Sequence, residues 1–238
     1  MTTKLPVWAS AIAVFDTETT GLDTTSARIV TANISVLDAD GAIVDRKDWI
    51  INPGVPIPPQ AAQVHGITDE IVQKSGIAAP AGITQIVEAL KACIQFGLPL
   101  VAYNAPYDFS LLRAEAARYQ VPWLGELNTV LDPLVIDKAV DRYRKGKRTL
   151  VDVAAHYGVS LDNAHDAGSD AIAAGRVLQK IALVHGEKLP ETAAELHLLQ
   201  VDWARDQAAS FRSWLESQGK DASNITGDWP LHPAKNQS

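Results

Sequence analysis

The fold is decided by residues 11–22, which read AIAVFDTETTGL. The first five residues are apolar, and a short continuous apolar run predicts a buried strand inside a sheet. Asp16 and Glu18 follow two positions apart, and because side chains alternate along a strand, both carboxylates project from one face. Two buried anions repel each other unless a cation lies between them, and a hard divalent ion binds such oxygens. We therefore interpret Asp16 and Glu18 as metal ligands. The alternative is a strand end capped by acidic turn residues.

The composition is that of a soluble globular protein, with 238 residues of which 47% are hydrophobic and 21% charged. No apolar run approaches the length that crosses a bilayer, and the N-terminus lacks a basic segment followed by a hydrophobic stretch. We therefore expect a cytoplasmic protein without a membrane partner. The single cysteine, Cys93, excludes an internal disulfide or a thiolate metal cluster. A net charge of −7 argues against broad coating of nucleic acid, but it permits a localised phosphate site whose charge a metal supplies.

The rest of the chain alternates between strand and helix patterns. Asp38-Ala39-Asp40-Gly41 joins two runs rich in β-branched residues, which predicts a hairpin. Strands are predicted at 11–15, 28–37, 42–51, 98–103 and 130–135. Helices are predicted at 83–96, from 106 to about 119, at 150–157, and in an alanine-rich segment that ends near 183.

Two later turns deliver further candidate ligands. Asp108 follows an apolar strand and lies in the first turn of a predicted helix, beyond a strand end where α/β sheets usually bind ligands. The alternative for Asp108 is an acid favoured by the helix dipole. His165 and Asp170 lie around the start of the alanine-rich helix, the histidine at its entry and the aspartate one turn inside. A neutral imidazole can take a proton from water, and the aspartate completes a carboxylate cluster.

Three features have competing interpretations. Asp166 shares a helical face with Asp170, and we interpret it as an acid at the helix N-terminus. His65 precedes a glycine, where a lone histidine is more often packed or capping a turn. Five of the seven residues 142–148 are basic, and such a run is either a solvated helix end or a phosphate-tracking edge beside the site.

Four motifs occur in a fixed order: FDTETTGL (15–22), VHGIT (64–68), NAPYDFSLL (104–112) and AHDAGSDA (164–171). In these motifs the sequence resembles the DnaQ-like 3′→5′ exonuclease superfamily of the DEDDh type, and it is similar to the proofreading epsilon subunit of bacterial DNA polymerase III. The resemblance covers roughly residues 11–184. It implies an α/β fold, in which an RNase H-like mixed sheet of five strands is flanked by helices and followed by a C-terminal helical extension.

The resemblance also implies roles for individual residues. The implied catalytic residues are Asp16, Glu18, Asp108, His165 and Asp170. The four carboxylates would bind two divalent metal ions, Mg²⁺ or Mn²⁺, and His165 would act as general base. The residues whose family counterparts contact or flank the terminal nucleotide are Thr19, Thr20, Leu22, His65 and Tyr107.

The implied reaction is removal of nucleoside 5′-monophosphates from the 3′ end of single-stranded DNA, in proofreading or repair. Two alternatives stay open: an exoribonuclease that trims RNA 3′ ends, and a non-catalytic module that binds or adapts 3′ ends. The implied partners are the 3′ end of a single strand, with DNA favoured over RNA, and a DNA polymerase subunit.

The chain is predicted to contain an exonuclease domain at residues 8–185 and a helical extension with an irregular tail at 186–238. A helix start at Leu189-Pro190-Glu191-Thr192 begins a pattern that runs to about residue 218. Five large apolar residues fall near one stripe of this helix: Leu196, Leu199, Trp203, Phe211 and Trp214. The default partner of that stripe is the catalytic domain's own surface, and the alternative is a dimer or a polymerase.

Overall fold

The computed structural model describes residues 4–161 and 164–233. The strands in these ranges are β1 (Ala11–Thr19), β2 (Ile29–Asp38), β3 (Ile43–Asn52), β4 (Ile77–Ala78), β5 (Leu100–Val101) and β6 (Val130–Leu131). The helices are α1 (Pro59–His65), α2 (Asp69–Ser75), α3 (Ala79–Gln95), α4 (Ala105–Arg118), α5 (Pro133–Val140), α6 (Leu150–Tyr157), α7 (Ala167–His185) and α8 (Ala193–Ser217). Short 3₁₀ helices lie at Val7–Ala9 and Gly186–Lys188.

The strands form one mixed sheet in the order β4-β3-β2-β1-β5-β6. β1, β2 and β3 are antiparallel neighbours, as the hairpin signal predicts, whereas β5 and β6 run parallel to β1. The α/β fold with a mixed sheet is therefore confirmed. The sheet has a sixth strand beyond the five expected, because the two residues of β4 pair with the end of β3. A strand of two residues is too short to carry a hydrophobic period.

β1 is central because its apolar residues fill the cores on both faces of the sheet. Residues 12–15 have no exposed surface. Ala13 and Phe15 pack in the core on one face, and Ile12 and Val14 pack in the core on the other. On the second face, α7 approaches so closely that a Cβ at Gly175 would lie 2.4 Å from the Val14 side chain. The packing of α7 on β1 thus brings the start of α7 near the end of β1.

The predicted strand at 130–135 is wrong beyond residue 131. Asp132 instead caps α5, since its carboxylate accepts a hydrogen bond from the Leu134 N–H at 2.9 Å. Pro133 presets the backbone angle of a helix start, and an aspartate before it supplies the missing acceptor. The apolar residues that follow belong to the buried face of α5. The predicted strand at 98–103 is likewise shortened to β5.

The residues after 185 pack on the same sheet. α8 begins with a capping box between Thr192 and Glu195, as the helix-start signal predicts. Leu196 is buried in the core with α7, and Trp229 of the irregular tail is buried in the opposite core. The division of domains at residue 185 stays a prediction, and residues 234–238 of the predicted extension lie outside the described residues. Within the described residues, every helix is too short or too polar to span a membrane.

The basic run divides into two groups. Arg144 and Arg148 are largely buried and form ion pairs with the buried carboxylate of Asp137. Lys145 and Lys147 are exposed, as is Arg142. The interpretation of the whole run as one solvated end or one phosphate edge is therefore wrong, because two of the five cations are bound to the protein's own interior.

Candidate active site

The four acidic residues predicted as metal ligands lie around one edge of the sheet. Asp16 and Glu18 lie near the end of β1, where the parallel strands β5 and β6 also end. Asp108 is in the first turn of α4 and Asp170 in the first turn of α7. Chain segments that are remote in sequence thus bring four carboxylates to one place, where burial and then the charges of the other three each raise the pKa of Asp16.

The carboxyl groups at this edge hold their protons more tightly than usual. Burial is the largest cause for each, and it raises the pKa of Asp16 well above its ordinary value, that of Glu18 to about 8 and that of Asp108 to about 7. Repulsion from Asp170 and Asp108 adds to the shift of Glu18. The pKa of Asp170 is also raised, again chiefly by burial. Among the described residues, no lysine or arginine forms an ion pair with any of the four.

The donor atoms at this edge fit a divalent cation. Asp170 Oδ2 accepts a hydrogen bond from the His165 N–H at 3.1 Å, whereas Asp170 Oδ1 is buried without a hydrogen-bond partner among the described residues. Buried polar atoms nearly always have a partner, so an unpaired carboxylate oxygen indicates a missing ligand. Ligand atoms of Glu18, His165 and Asp170 lie within 4.8 Å of one another. Such a group is close enough to coordinate one ion between them.

The loop before α7 separates His165 from Asp166. Asp166 caps α7, because its Oδ1 accepts a hydrogen bond from the Ser169 N–H at 2.8 Å, so its interpretation as a helix-start acid is confirmed. His165 has a left-handed backbone conformation, with φ of 69°, and its side chain is exposed. This turn directs the chain into the helix and leaves the imidazole accessible from solvent beside the acids.

The turn after β1 uses most of the polar groups predicted to bind substrate. The Thr19 and Tyr107 hydroxyl oxygens lie 2.5 Å apart, and they lie 2.9 and 2.7 Å from the Gly21 carbonyl oxygen. Burial raises the pKa of Tyr107 to about 12, so this hydroxyl stays protonated. Thr20 Oγ1 accepts a hydrogen bond from the Arg28 N–H. These contacts fix the shape of the turn, and Leu22 lies beyond it with 90% of its surface exposed.

His65 was interpreted both as a packed or turn-capping histidine and as a residue that flanks the terminal nucleotide. It is the last residue of α1, and its Nδ1 accepts a hydrogen bond from the Ile67 N–H at 3.1 Å, so the turn-capping role is confirmed. Burial lowers the pKa of His65. The backbone of Thr19 partly opposes this shift, so the His65 ring lies beside the turn after β1. The structure therefore brings His65 to the same turn as Thr19 and Tyr107.

Sequence reasoning missed three residues that hold this site together. Thr17, between the two acids of β1, donates a hydrogen bond at 2.7 Å to Asp108 Oδ1. Asp132 accepts hydrogen bonds from the N–H groups at the start of α4, at 3.0 and 2.9 Å. Gln200 of α8 accepts a hydrogen bond from the Asp132 N–H at 2.7 Å. The Asp132-Pro133 pair signals a helix start in the sequence, but nothing local predicts its second contact with α4.

The chain is similar in sequence to known exonucleases and polymerases. The sequence profile of the exonuclease family named RNase_T matches residues 13–178. The PolC-type DNA polymerase III of Streptococcus thermophilus is 34% identical over 178 residues, which cover 74% of this chain and 11% of that polymerase. The PolC-type polymerase of Streptococcus pyogenes serotype M5 is 34% identical over 168 residues, or 69% of this chain and 11% of that polymerase. This chain thus corresponds to about a tenth of the length of these relatives.

Solved structures share the fold at low sequence identity. Escherichia coli exonuclease I in complex with a dA16 oligonucleotide superposes with a TM-score of 0.63 at 17% identity, over 75% of this chain and 42% of that one. The nuclease domain of 3′hExo, described as a DEDDh family member bound to rAMP, superposes with a TM-score of 0.62 at 13% identity, over 74% of this chain and 93% of that one. Because the profile matches residues 13–178, well over half of its length, the chain belongs to the RNase_T exonuclease family.

Proposed function

We propose that this protein is a metal-dependent exonuclease that removes nucleoside 5′-monophosphates from the 3′ end of single-stranded DNA. One observation carries the proposal: four buried or half-buried carboxylates converge, and within the described part of the chain no lysine or arginine pairs with them and no donor binds Asp170 Oδ1. A protein keeps such a cluster of raised pKa values mainly where it performs chemistry. A cluster that served only the fold would be paired with arginine or lysine.

Asp16, Glu18, Asp108 and Asp170 would hold two divalent ions, with Mg²⁺ or Mn²⁺ favoured because every one of these ligands is a hard oxygen. When bound, such ions stabilise the negative charge that develops on a phosphate during hydrolysis. The hydrogen bond from Thr17 fixes the orientation of the Asp108 carboxylate. Asp132 holds the start of the helix that carries Asp108. The ligands are thereby set before any substrate arrives.

His165 would act as the general base. Its imidazole is exposed, and its backbone N–H is bound to Asp170, so the ring can reach solvent while its backbone stays attached to the acid cluster. A ring nitrogen of His165 would take the proton of the attacking water and pass it to solvent. The exposed Leu22 side chain would stack on the terminal base, and Thr19, Thr20, Tyr107 and His65 would shape the pocket beside it.

DNA is proposed as the substrate because the relatives named above are DNA polymerases. The structural neighbour exonuclease I holds a DNA oligonucleotide, which supports the same choice. A polymerase subunit is the proposed protein partner, and a cytoplasmic location belongs to the same proposal. Trimming of RNA 3′ ends and non-catalytic binding of 3′ ends are the alternatives.

The test is digestion of 5′-labelled single-stranded DNA and RNA of equal sequence, with Mg²⁺, Mn²⁺ or a chelator. We expect a ladder of shortened, labelled DNA products with either metal and none with the chelator. A faster reaction on RNA would select the exoribonuclease. Binding of the strand without any product, with both metals present, would select the non-catalytic module.

A further inference from the structure

A groove between α5, the basic run and α8 lies outside the site described so far. Its volume is about 950 Å³, and its lining includes Lys138, Arg142, Trp203, Gln207, Phe211 and Trp214. The predicted apolar stripe of α8 divides here: Leu196 is buried in the core, whereas Phe211 and Trp214 are 47% and 51% exposed. Two large aromatic side chains beside cations are thus left open to solvent at one end of the helix.

The two exposed rings are arranged as a stacking platform. The Phe211 and Trp214 ring centroids are 5.8 Å apart and the ring planes differ by 14°. The Lys220 ammonium lies 5.6 Å from the centroid of the Trp214 ring. Nearly parallel aromatic rings with adjacent cations match the chemistry with which proteins hold single-stranded nucleic acid, because every base offers a π face and every nucleotide carries a phosphate.

The charges of the groove favour an anionic occupant. Arg142 is exposed and Lys138 is half-buried, and neither forms an ion pair within the described part of the chain. Burial lowers the pKa of Lys138, so an approaching anion would stabilise its charged form. Asp206 is the acidic residue in the lining. The protein has a net charge of −7, so the cations beside this aromatic pair make the groove locally more positive than the average surface.

The groove lies at the same edge of the sheet as the acid cluster. Its Gln207 donates a hydrogen bond at 2.9 Å to the Val135 carbonyl oxygen, in the first turn after β6. Arg148, at the other wall, accepts a hydrogen bond through its carbonyl oxygen from the Tyr103 hydroxyl, two residues after β5. β1, β5 and β6 are parallel neighbours, and adjacent strands lie about 4.8 Å apart. Two walls of the groove are therefore attached to the segments that directly follow β5 and β6, on the side of the sheet where β1 delivers Asp16.

From these features we propose that the groove between α5 and α8 binds the single strand upstream of its 3′ end, with Phe211 and Trp214 stacking on bases and Lys138 and Arg142 contacting phosphates. This assignment rests on the nuclease function proposed above, and it adds a second subsite to it. The subsite would tether long strands between successive cuts, whereas a dinucleotide would be too short to reach it.

The experiment compares kcat and KM on a dinucleotide and on a long single-stranded oligonucleotide. For Trp214→Ala and for Phe211→Ala we expect KM on the long strand to rise roughly 5- to 150-fold, as for the loss of one stacked base, with little change on the dinucleotide. For Lys138→Ser with Arg142→Ser we expect the salt dependence of long-strand binding to fall by about 0.7 in log–log slope for each phosphate that the protein no longer neutralises.

Two variants serve as matched controls. Leu198→Ala removes another exposed apolar side chain of α8, one that the helical repeat places near the opposite face. Lys145→Ser with Lys147→Ser removes the same number of positive charges, here from the part of the basic run outside the groove lining. Equal effects in these controls, or no length-dependent effect in the groove variants, would overturn the proposal. A dimer that dissociates in Trp214→Ala, measured by sedimentation, would also overturn it and identify the groove as a contact between two copies.

The same variants separate this proposal from the function on which it rests. Binding of the oligonucleotide is measured by fluorescence anisotropy in a chelator, where no hydrolysis is expected. If the wild-type protein binds but never cuts with metal, and Trp214→Ala binds more weakly, the nuclease function fails while the groove assignment stands. If the wild-type protein cuts and the groove variants keep normal binding and normal KM, the groove assignment fails alone.

Discussion

The molecule buries carboxylates in two contrasting ways. The Asp137 side chain has no exposed surface, and it is surrounded by donors: the guanidinium groups of Arg144 and Arg148 and the Tyr157 hydroxyl at 2.9 Å. The four acids at the end of β1 are buried or half-buried as well, but no cation of the described residues is paired with them.

The buried charge stabilises the fold in the first region and destabilises it in the second. Asp137, a buried acid that serves the fold, is supplied with counter-charge by Arg144 and Arg148, which lie seven and 11 residues away along the chain. Repulsion among the acids of β1, α4 and α7 destabilises the protein until a cation from solution arrives. The same residue type thus has opposite effects on stability in the two regions.

The largest expected effect follows from removing one charge of the unpaired cluster. For Asp16→Asn or Asp108→Asn we expect hydrolysis to fall below detection, because a metal ligand is lost. We expect the melting temperature without metal to hold or rise by about 2–8 °C, since relief of repulsion is worth on the order of 1–2 kcal/mol. Near-normal turnover in either variant would remove the metal assignment. A large drop in melting temperature would show that the cluster supports the fold as Asp137 does.

A second prediction separates the exposed base from the acids around it. For His165→Ala we expect the chemical step to slow roughly 10²–10⁴-fold with metal and strand still bound, because a general base contributes about that much. For Asp166→Asn, which keeps an acceptor at the helix cap, we expect little loss of activity. Single-turnover rates and Mn²⁺ titrations measure both. If metal affinity falls together with rate in His165→Ala, the imidazole is a metal ligand.

Removing the charge of Asp137, which is paired with Arg144 and Arg148, should lower stability instead of raising it. For Asp137→Asn we expect the free energy of unfolding to fall by about 3 kcal/mol, because Arg148 loses its counter-charge and Arg144 keeps only Asp141. This is the low end for a broken buried pair, since both guanidinium groups keep 12% exposure. That corresponds to a melting temperature lower by roughly 6–12 °C. Dinucleotide hydrolysis below that temperature should stay within a few-fold of wild type. An unchanged melting temperature would mean that the Asp137 pairs add nothing to stability.

Local features of both regions were predictable from the sequence, whereas their long-range contacts were not. The strand at 11–15 and the acids after it were predictable because both follow from local hydrophobic and side-chain periods. The helix starts around Asp108 and Asp166 were also predictable from local signals, a proline that suits the first turn and acids that the helix dipole favours. The pairing of Asp132 with α4 and Gln200 was not, because it joins residues 27 to 68 positions apart. The binding of Arg144 and Arg148 to Asp137 was hidden too, since a basic run has the same composition whether it faces solvent or the core.

The smallest expected effect is a pH dependence of stability, because protons and metal ions compete for the four unpaired acids. The pKa of Glu18 in the folded protein is about 8, above its ordinary 4.5, so the folded state binds a proton more tightly than the unfolded state. Without metal, stability from this group is therefore greatest at low pH and is lost as pH rises from about 4.5 towards 8.

Because a metal ion replaces the proton, Mn²⁺ or Mg²⁺ should raise the melting temperature more at pH 8 than at pH 6. We expect the difference between the two increments to be about 2–8 °C, measured by calorimetry in chelator and in metal. Asp16→Asn is the control, and it should remove most of the increment at both pH values. Asp137→Asn should leave the increment unchanged, since its carboxylate lies outside the cluster. An equal rise in melting temperature on adding metal at pH 6 and at pH 8 would show that metal binding displaces no proton from Glu18. The unpaired acids would then not differ from Asp137 in their response to metal and pH.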